Sequence, residues 1–400
     1  INSNILIIDL FFLFTCYHQK KWSWIKNKYL YFFIFIWIYL ILNSIISENY
    51  APGENVFDTI RNKIVNPQNE SIIRSVGFIR FVIFLFAVQY FFINSKKIYN
   101  KIFLCWTIII VIVLVDIIFE RIFGLNLLGF KSPSPHRIIS FFKDELVVGG
   151  FVLGFSFLIS GFLFELTKND LKKKIFSSVF FCLSIICIYL SGERSNFIKA
   201  LIIASIILLL INNAHIYIKK KYIFLFIIIG ITVPTLISKD IYTRQLEFLK
   251  QIQVYDQGST YEKFGHIRHF AHYDVAWQIF KDYPIFGVGN SKFRYICHDE
   301  KYFNAKIKYT FERCSNHPHQ VHFEILSEQG VIGYLIIIFV IFNILFNSLK
   351  VYCKTGDITH LSSILFAVTF FIPLLPSGSI FSTFNASIFW INFSIAHAFS

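Results

Sequence analysis

The chain has 400 residues, of which 55% are hydrophobic, 19% are aromatic and only 16% are charged, and its mean hydropathy is +0.59. Soluble domains carry roughly 25% charged residues, so this composition argues against a water-soluble fold. The formal net charge of +14 does not indicate nucleic-acid binding. Its lysines fall in short clusters between apolar runs, and no basic stripe interleaved with exposed aromatic residues is visible on a soluble domain.

Long apolar runs follow one another from one end of the chain to the other, and several approach the roughly 20 residues that span a bilayer. They are continuous rather than alternating, which favours helices over barrel strands. We predict eleven crossings at about residues 4–17, 29–47, 72–94, 102–120, 146–166, 175–190, 197–214, 222–238, 323–348, 358–375 and 380–398.

Lysine clusters occupy every second connector between these crossings. They are Lys20, Lys21, Lys26 and Lys28; Lys96, Lys97 and Lys101; Lys168 and Lys172 to Lys174; Lys219 to Lys221; and Lys350 and Lys354. Lysine and arginine are retained on the cytoplasmic side of the membrane, so the alternation fixes the topology. It places the connectors 48–71, 121–145, 191–196, 239–322 and 376–379 outside.

The same topology places Ile1 outside, and the chain starts without Met in an apolar run. We therefore expect a missing N-terminal segment, with one further helix and twelve crossings in the full chain as the simplest arrangement. The fold class predicted is an all-α polytopic membrane protein.

The connector 239–322, roughly 80 residues long, is the only one large enough to be more than a link. It is polar and rich in His and Tyr, and Phe270 to Phe280 has helical spacing that stops before Pro284. We predict three regions: residues 1–238 with about eight helices, the external loop 239–322 with the functional residues, and residues 323–400 with about three helices.

Cys297 and Cys314 are the only cysteines of this loop. An extracytoplasmic compartment permits disulfides, so we predict that they pair. Two unpaired thiols, or metal binding together with His298 and His317, are the alternatives. The other five cysteines lie in or beside predicted crossings, where a free thiol packs as a small apolar group.

Three polar segments contain the candidate functional residues. In the turn SGERS at 191–195, Arg194 could bind an anionic group through two hydrogen bonds, or it could pair with Glu193 in a simple hairpin. In the loop, His269 and His272 could share a helix face, and Gly287 and Gly289 allow a tight turn or a close approach to a ligand.

The third segment is NHPHQ at 316–320, where Pro318 constrains the backbone between two imidazoles. His319 lies near the start of an apolar helix and could accept a proton from a hydroxyl nucleophile. Metal binding by the histidine pair is the rival interpretation, although a third ligand is not evident. Arginines and a histidine on one membrane face suit the attack of a hydroxyl on a lipid-linked phosphate ester.

The order of these motifs resembles the O-antigen ligase and O-antigen polymerase superfamily. The resemblance rests on SGERS, on DYPIFGVG at 282–289 with Phe293, Arg294 and Cys297 after it, on CSNHPH at 314–319, and on EILSEQGVIG at 324–333. It covers roughly residues 185–345, and upstream only the hydropathy pattern agrees.

The resemblance implies a bacterial inner-membrane glycosyltransferase with a GT-C-like fold and an active site facing the periplasm. It implies transfer of a glycan from undecaprenyl pyrophosphate to lipid A core or to a second lipid-linked glycan, without a cofactor or metal. By the same resemblance, Arg194 and either Arg268 or Arg244 bind the pyrophosphate, and His319 activates the acceptor.

Further substrate-binding residues are expected at His272, His317, Gln320, Glu328, Gly287 and Gly289. Two positions depart from the family pattern. Gln320 replaces the usual Asn, and Arg268 lies further before Trp277 than is common. A transporter or flippase of a polyprenyl-linked glycan is the alternative function, but transporters usually place their working charges near the membrane midplane.

Overall fold

The computed structural model describes residues 2–47, 56–58, 63–143, 145–166, 170–211, 220–244, 265, 267–381 and 384–399. Residues 245–264 of the predicted external loop and the end of the crossing predicted at 197–214 lie outside this set.

Nearly all regular structure among the described residues is α-helical. The helices are Asn2–Gln19, Lys28–Ile46, Pro67–Gly77, Ile79–Asn94, Lys96–Phe123, Val148–Leu166, Leu171–Leu190, Arg194–Leu210, Lys220–Ile237, Arg268–Asp282, Phe293–Ile296, Val321–Thr355, Ile358–Thr369 and Phe384–Ala398. Two short antiparallel strands, Val56–Asp58 and Lys63–Val65, form a hairpin.

Seven helical stretches of the described chain are long and apolar enough to cross a membrane. They are Lys28–Ile46, Pro67–Asn94, Lys97–Phe123, Val148–Leu166, Leu171–Leu190, Lys220–Ile237 and Val321–Thr355. The prediction of an all-α polytopic membrane protein is confirmed. The count of eleven crossings and the GT-C-like arrangement stay predictions.

Two of the predicted crossings near the C-terminus are shortened or broken. The crossing predicted at 358–375 ends as a helix at Thr369, because Pro373 and Pro376 follow and proline disfavours a continuing helix. The helix that re-enters after the loop is broken at Gly330, whose φ of 65° and ψ of −174° are not helical.

The described residues divide into two compact units. The first unit comprises residues 1–88, 251–346 and 370–394. Its core contains Trp390, which stacks on Phe81 with ring centroids 5.5 Å apart and meets Phe33 edge-on. The indole N–H donates to the Ile380 carbonyl over 2.8 Å, so the ring is buried without losing a hydrogen bond.

The second unit comprises residues 89–250, 347–369 and 395–400. Here the connector predicted at 121–145 folds back onto the end of the helix Lys96–Phe123. Asp116 accepts a hydrogen bond from the Ser140 hydroxyl over 2.6 Å, and Glu120 accepts one from the Ser140 amide over 2.7 Å. The two buried carboxylates therefore accept the hydrogen bonds that the buried Ser140 would otherwise lack.

Candidate functional site

Four histidines from two separate loop motifs meet in the first unit. The His319 ring centroid lies 4.4 Å from that of His317, 5.1 Å from that of His272 and 5.2 Å from that of His269. His269 and His272 lie one turn apart on the helix Arg268–Asp282, which therefore presents both rings on one face. The predicted helix in the loop is confirmed, and it brings His272 to His317 and His319.

Hydrogen bonds orient two of these rings. His272 Nδ1 lies 2.9 Å from the Arg313 carbonyl oxygen, which can only accept, so Nδ1 carries the proton and Nε2 keeps its lone pair. His319 Nε2 lies 2.9 Å from the Ser315 hydroxyl oxygen, which can donate or accept. His319 also has a left-handed backbone, with a φ of 58°, a conformation that concentrates at functional sites.

Three rings of the histidine cluster, those of His272, His317 and His319, are unprotonated at neutral pH. Burial lowers the pKa of His317 to about 3, and the positive charge of Arg294 acts in the same direction. Burial also lowers the pKa of His319 and of His272, and the neighbouring His317 adds to the effect on His319. Unprotonated imidazoles can accept a proton from a substrate hydroxyl.

A disulfide anchors the segment that leads to these histidines. Cys297 and Cys314 are bonded, with their Cα atoms 5.4 Å apart. Arg313 adds further hydrogen bonds, the shortest from Nε to the Cys297 carbonyl over 2.9 Å and from Nη2 to the His298 carbonyl over 3.1 Å. Cys297 is itself buried against Val275 and its neighbours in the core of the loop. The chain is therefore fixed immediately before Ser315.

Arg294 and Glu328 support the same segment from the other side. Arg294 donates to the Asn316 side-chain oxygen over 3.1 Å and to the Asn316 carbonyl over 2.9 Å. The Glu328 carboxylate accepts hydrogen bonds from the amides of Ser291 and Phe293, at 2.7 and 3.2 Å, where the short helix bearing Arg294 begins. The structure thus gives Glu328 backbone partners, and its predicted contact with substrate stays a prediction.

Gln320 has a comparable structural position. Its side-chain oxygen accepts hydrogen bonds from the amides of His322 and Phe323, at 2.7 and 3.2 Å, at the start of the helix Val321–Thr355. The His319 carbonyl accepts a hydrogen bond of 2.7 Å from the Ser377 amide. A carboxamide at residue 320 therefore satisfies the helix start next to His319.

The glycine-containing run 284–289 packs backbone against backbone on the broken helix. The amides of Val288 and Gly289 donate to the carbonyls of Ser327 and Glu328 over 3.0 and 2.8 Å. A Cβ on Gly287 would lie 2.5 Å from the Glu328 carbonyl carbon, and one on Gly330 would lie 2.2 Å from the Ile285 carbonyl oxygen. The close approach at Gly287 is thus to the protein's own backbone, whereas a Cβ on Gly289 would lie 2.2 Å from the Ser47 side-chain oxygen.

The turn SGERS lies in the second unit. Glu193 is buried, and its carboxylate accepts hydrogen bonds from the amides of Gly149 and Gly150, at 2.9 and 3.2 Å, and from Asn196 Nδ2, at 2.5 Å. Arg137 Nη2 lies 3.7 Å from the same carboxylate. Burial raises the pKa of Glu193, while Arg137 and the hydrogen bonds oppose that shift.

The predicted arginines fall into both units. Arg194 begins the helix Arg194–Leu210 and is partly buried, and Arg244 Nη2 lies 3.5 Å from the Gly192 carbonyl of the same turn. Arg268 belongs to the first unit, where it is exposed and pairs with Glu312 near the histidine cluster. Arg244 and Arg268 are the two candidates for the second pyrophosphate ligand. Arg244 lies in the same unit as Arg194, and Arg268 lies in the same unit as the histidines.

Sequence reasoning assigned no role to several supporting residues. They are Arg137 beside Glu193, Arg294 on Asn316, and Ser315 and Arg313 beside the histidines. The position of Arg313 next to Cys314, and of Ser315 within the CSNHPH motif, was a usable signal. Arg137 gave none, because its contact with Glu193 joins distant parts of the chain.

Comparison with known proteins agrees with the motifs. Residues 179–338 match the family model described as O-antigen ligase, and this stretch includes every predicted site residue from Arg194 to Glu328. None of the curated proteins matches the chain. The family match supports the O-antigen ligase and polymerase superfamily, so the resemblance predicted from the sequence is confirmed.

We expect Gly287→Ala and Gly330→Ala to destabilise the first unit strongly. Each adds a Cβ to a backbone that already touches another backbone, and the Gly330 conformation is essentially restricted to glycine. Gly356→Ala is the matched control, because Gly356 has the same φ of 65° but nothing within 4 Å of an added Cβ.

In the control, the free energy of unfolding should fall by about 1–2 kcal/mol, the cost of a left-handed backbone at alanine. In the two site variants it should fall by roughly 1–3 kcal/mol more, because the added Cβ overlaps with backbone. Thermal unfolding midpoints of the purified variants measure the difference. Equal midpoints for Gly287→Ala and Gly356→Ala would contradict the assigned backbone contact.

Proposed function

We propose, from the O-antigen ligase match over residues 179–338, that this protein transfers a glycan from undecaprenyl pyrophosphate to a sugar hydroxyl. The reaction would take place on the periplasmic side of the bacterial inner membrane. The observation that supports it best is His319, an oriented and unprotonated histidine inside the matched stretch.

His319 would act as the general base. In the tautomer whose Nε2 donates to the Ser315 hydroxyl, Nδ1 would take the proton from the acceptor hydroxyl while that oxygen attacks the anomeric carbon of the donor glycan. The bond between this carbon and the pyrophosphate oxygen would break, and undecaprenyl pyrophosphate would leave as an anion. The proton on His319 would then pass to solvent or to the leaving pyrophosphate, which restores the base.

Arginines would neutralise the leaving group. The planar guanidinium of Arg194 can donate two parallel hydrogen bonds to a phosphate, and Arg244 or Arg268 would supply the second cation. Fixed positive charge near a developing phosphate charge lowers the barrier without a metal ion. The mechanism we propose is therefore metal-independent.

The acceptor divides the proposal into subclasses. A ligase would use lipid A core, a polymerase would use a second lipid-linked glycan, and a related transferase would use a protein hydroxyl. All three require the same donor site and the same base, so the motifs support them equally. Partners common to all are the lipid-linked donor and the bilayer.

The deciding experiment incubates purified protein with an undecaprenyl-pyrophosphate glycan and offers lipid A core or excess donor as acceptor. We expect release of undecaprenyl pyrophosphate and a new glycosidic product with one of the two. His319→Asn should lower the turnover by about 10²–10⁴-fold, the usual contribution of a general base, because asparagine tolerates the left-handed backbone but cannot take the proton.

His298→Gln, which alters an exposed histidine of the same loop, should retain wild-type turnover. Wild-type turnover in His319→Asn would remove the proposed base. Movement of intact donor across the bilayer without any product would instead favour the flippase alternative.

Arg194→Lys should reduce kcat/KM by about tenfold or more. Lysine keeps the charge but loses the two-pronged geometry, and one hydrogen bond to a charged group is worth about 1.5–3 kcal/mol. The matched control is Arg74→Lys, at an arginine that pairs with Glu70 within one helix. Initial rates at varied donor concentration measure the effect, and unchanged kcat/KM in Arg194→Lys would reduce Arg194 to a turn residue.

A further inference from the structure

The histidine cluster contains a ring, His269, to which neither the proposed reaction nor the expected substrate contacts assign a role. One ring nitrogen from each of His269, His272 and His319 can be chosen so that all three lie within 4.8 Å of one another. His272 is buried, whereas His269 and His319 are partly exposed. A small solute could therefore reach a point between the three rings. The sequence alone suggested only pairs of histidines, without a third ligand for a metal ion.

The orientation of His272 matches that of a metal ligand. Histidines that bind metals usually donate their other ring N–H to a carbonyl or carboxylate, which fixes the tautomer. His272 makes this bond through Nδ1 to the Arg313 carbonyl, and its Nε2 lone pair is left available. Arg313 is itself held by the carbonyls of Cys297 and His298, so the orienting group is fixed.

The donor set selects a class of ion. Imidazole nitrogens suit Zn²⁺, Cu²⁺ and Ni²⁺, whereas Mg²⁺ and Ca²⁺ prefer oxygen. Three histidines and a water complete a tetrahedral zinc site, with Zn–N distances of about 2.0–2.1 Å. The rings must move closer to reach such distances, and the partial exposure of His269 and His319 leaves room for side-chain rotation.

We propose that His269, His272 and His319 together bind one Zn²⁺ or a similar late first-row divalent ion. We further propose that the bound ion inhibits glycan transfer, because it occupies the His319 lone pair that would take the acceptor proton. The binding site stands on the geometry alone, and only the inhibition rests on the proposed function.

Binding is tested on the full chain, purified through an affinity tag without histidines and reconstituted in nanodiscs. Zn²⁺ is titrated against a chromophoric chelator. We expect one ion per wild-type chain, affinity lowered by about 10–100-fold or more in His269→Gln, and no change in His298→Gln. Absence of binding to the wild type, or equal affinity in His269→Gln, would overturn the site.

Cobalt provides a structural readout that does not depend on activity. Co²⁺ in a tetrahedral nitrogen site gives intense visible absorption, whereas octahedral aqueous Co²⁺ absorbs weakly. Wild-type protein and His298→Gln should show the intense band, and His269→Gln and His272→Gln should lose it. An octahedral spectrum in the wild type would contradict a site of three imidazoles and a water.

Inhibition is measured separately. Added Zn²⁺ should lower wild-type transfer and EDTA should restore it, while EDTA alone should leave the rate unchanged. In His269→Gln, the transfer rate measured without zinc should stay the same when Zn²⁺ is added. If zinc binds with the expected variant pattern but transfer is unaffected, the inhibitory role is wrong. If no variant or wild-type protein transfers glycan while zinc still binds, the proposed function fails and the metal site stands.

Discussion

The backbone contact between the run 284–289 and the broken helix at Gly330 is the constraint on which the rest of the loop depends. It brings the Glu328 carboxylate to the amides of Ser291 and Phe293. Those amides lie at the start of the short helix that bears Arg294, and Arg294 donates to the side-chain oxygen and the backbone carbonyl of Asn316. A sequence of polar contacts thus runs from a helix at the membrane to the residue that precedes the histidine pair, and each member satisfies a group that burial would otherwise leave without a partner.

A second set of constraints comes from the opposite side of the same segment. The disulfide and Arg313 fix residues 297–314, and the Arg313 carbonyl sets the tautomer of His272. Burial then keeps the imidazoles unprotonated. Packing therefore determines both the protonation state and the orientation of these rings. Histidine side chains in water have a pKa near 6.5 and rotate freely.

The sequence was sufficient wherever one local property dominates. Hydropathy predicted helical crossings, and helical spacing predicted the loop helix that aligns His269 with His272. The sequence was insufficient wherever the structure depends on contacts between residues that are far apart along the chain. The break at Gly330 falls inside the crossing predicted as continuous at 323–348. The sequence also gives no sign that the Glu328 carboxylate accepts hydrogen bonds from the amides of Ser291 and Phe293. The third member of the histidine cluster becomes evident only when two loop motifs are brought together in space.

The left-handed backbone of His319 also limits what natural variation can do at this position. Among residues other than glycine, Asn, Asp and His are the side chains most enriched in that conformation, and of these only histidine is a base of moderate strength near neutral pH. A single nucleotide change converts a histidine codon into one for asparagine or aspartate. One point mutation would therefore remove the proposed base at residue 319 and leave a side chain that the left-handed backbone accepts.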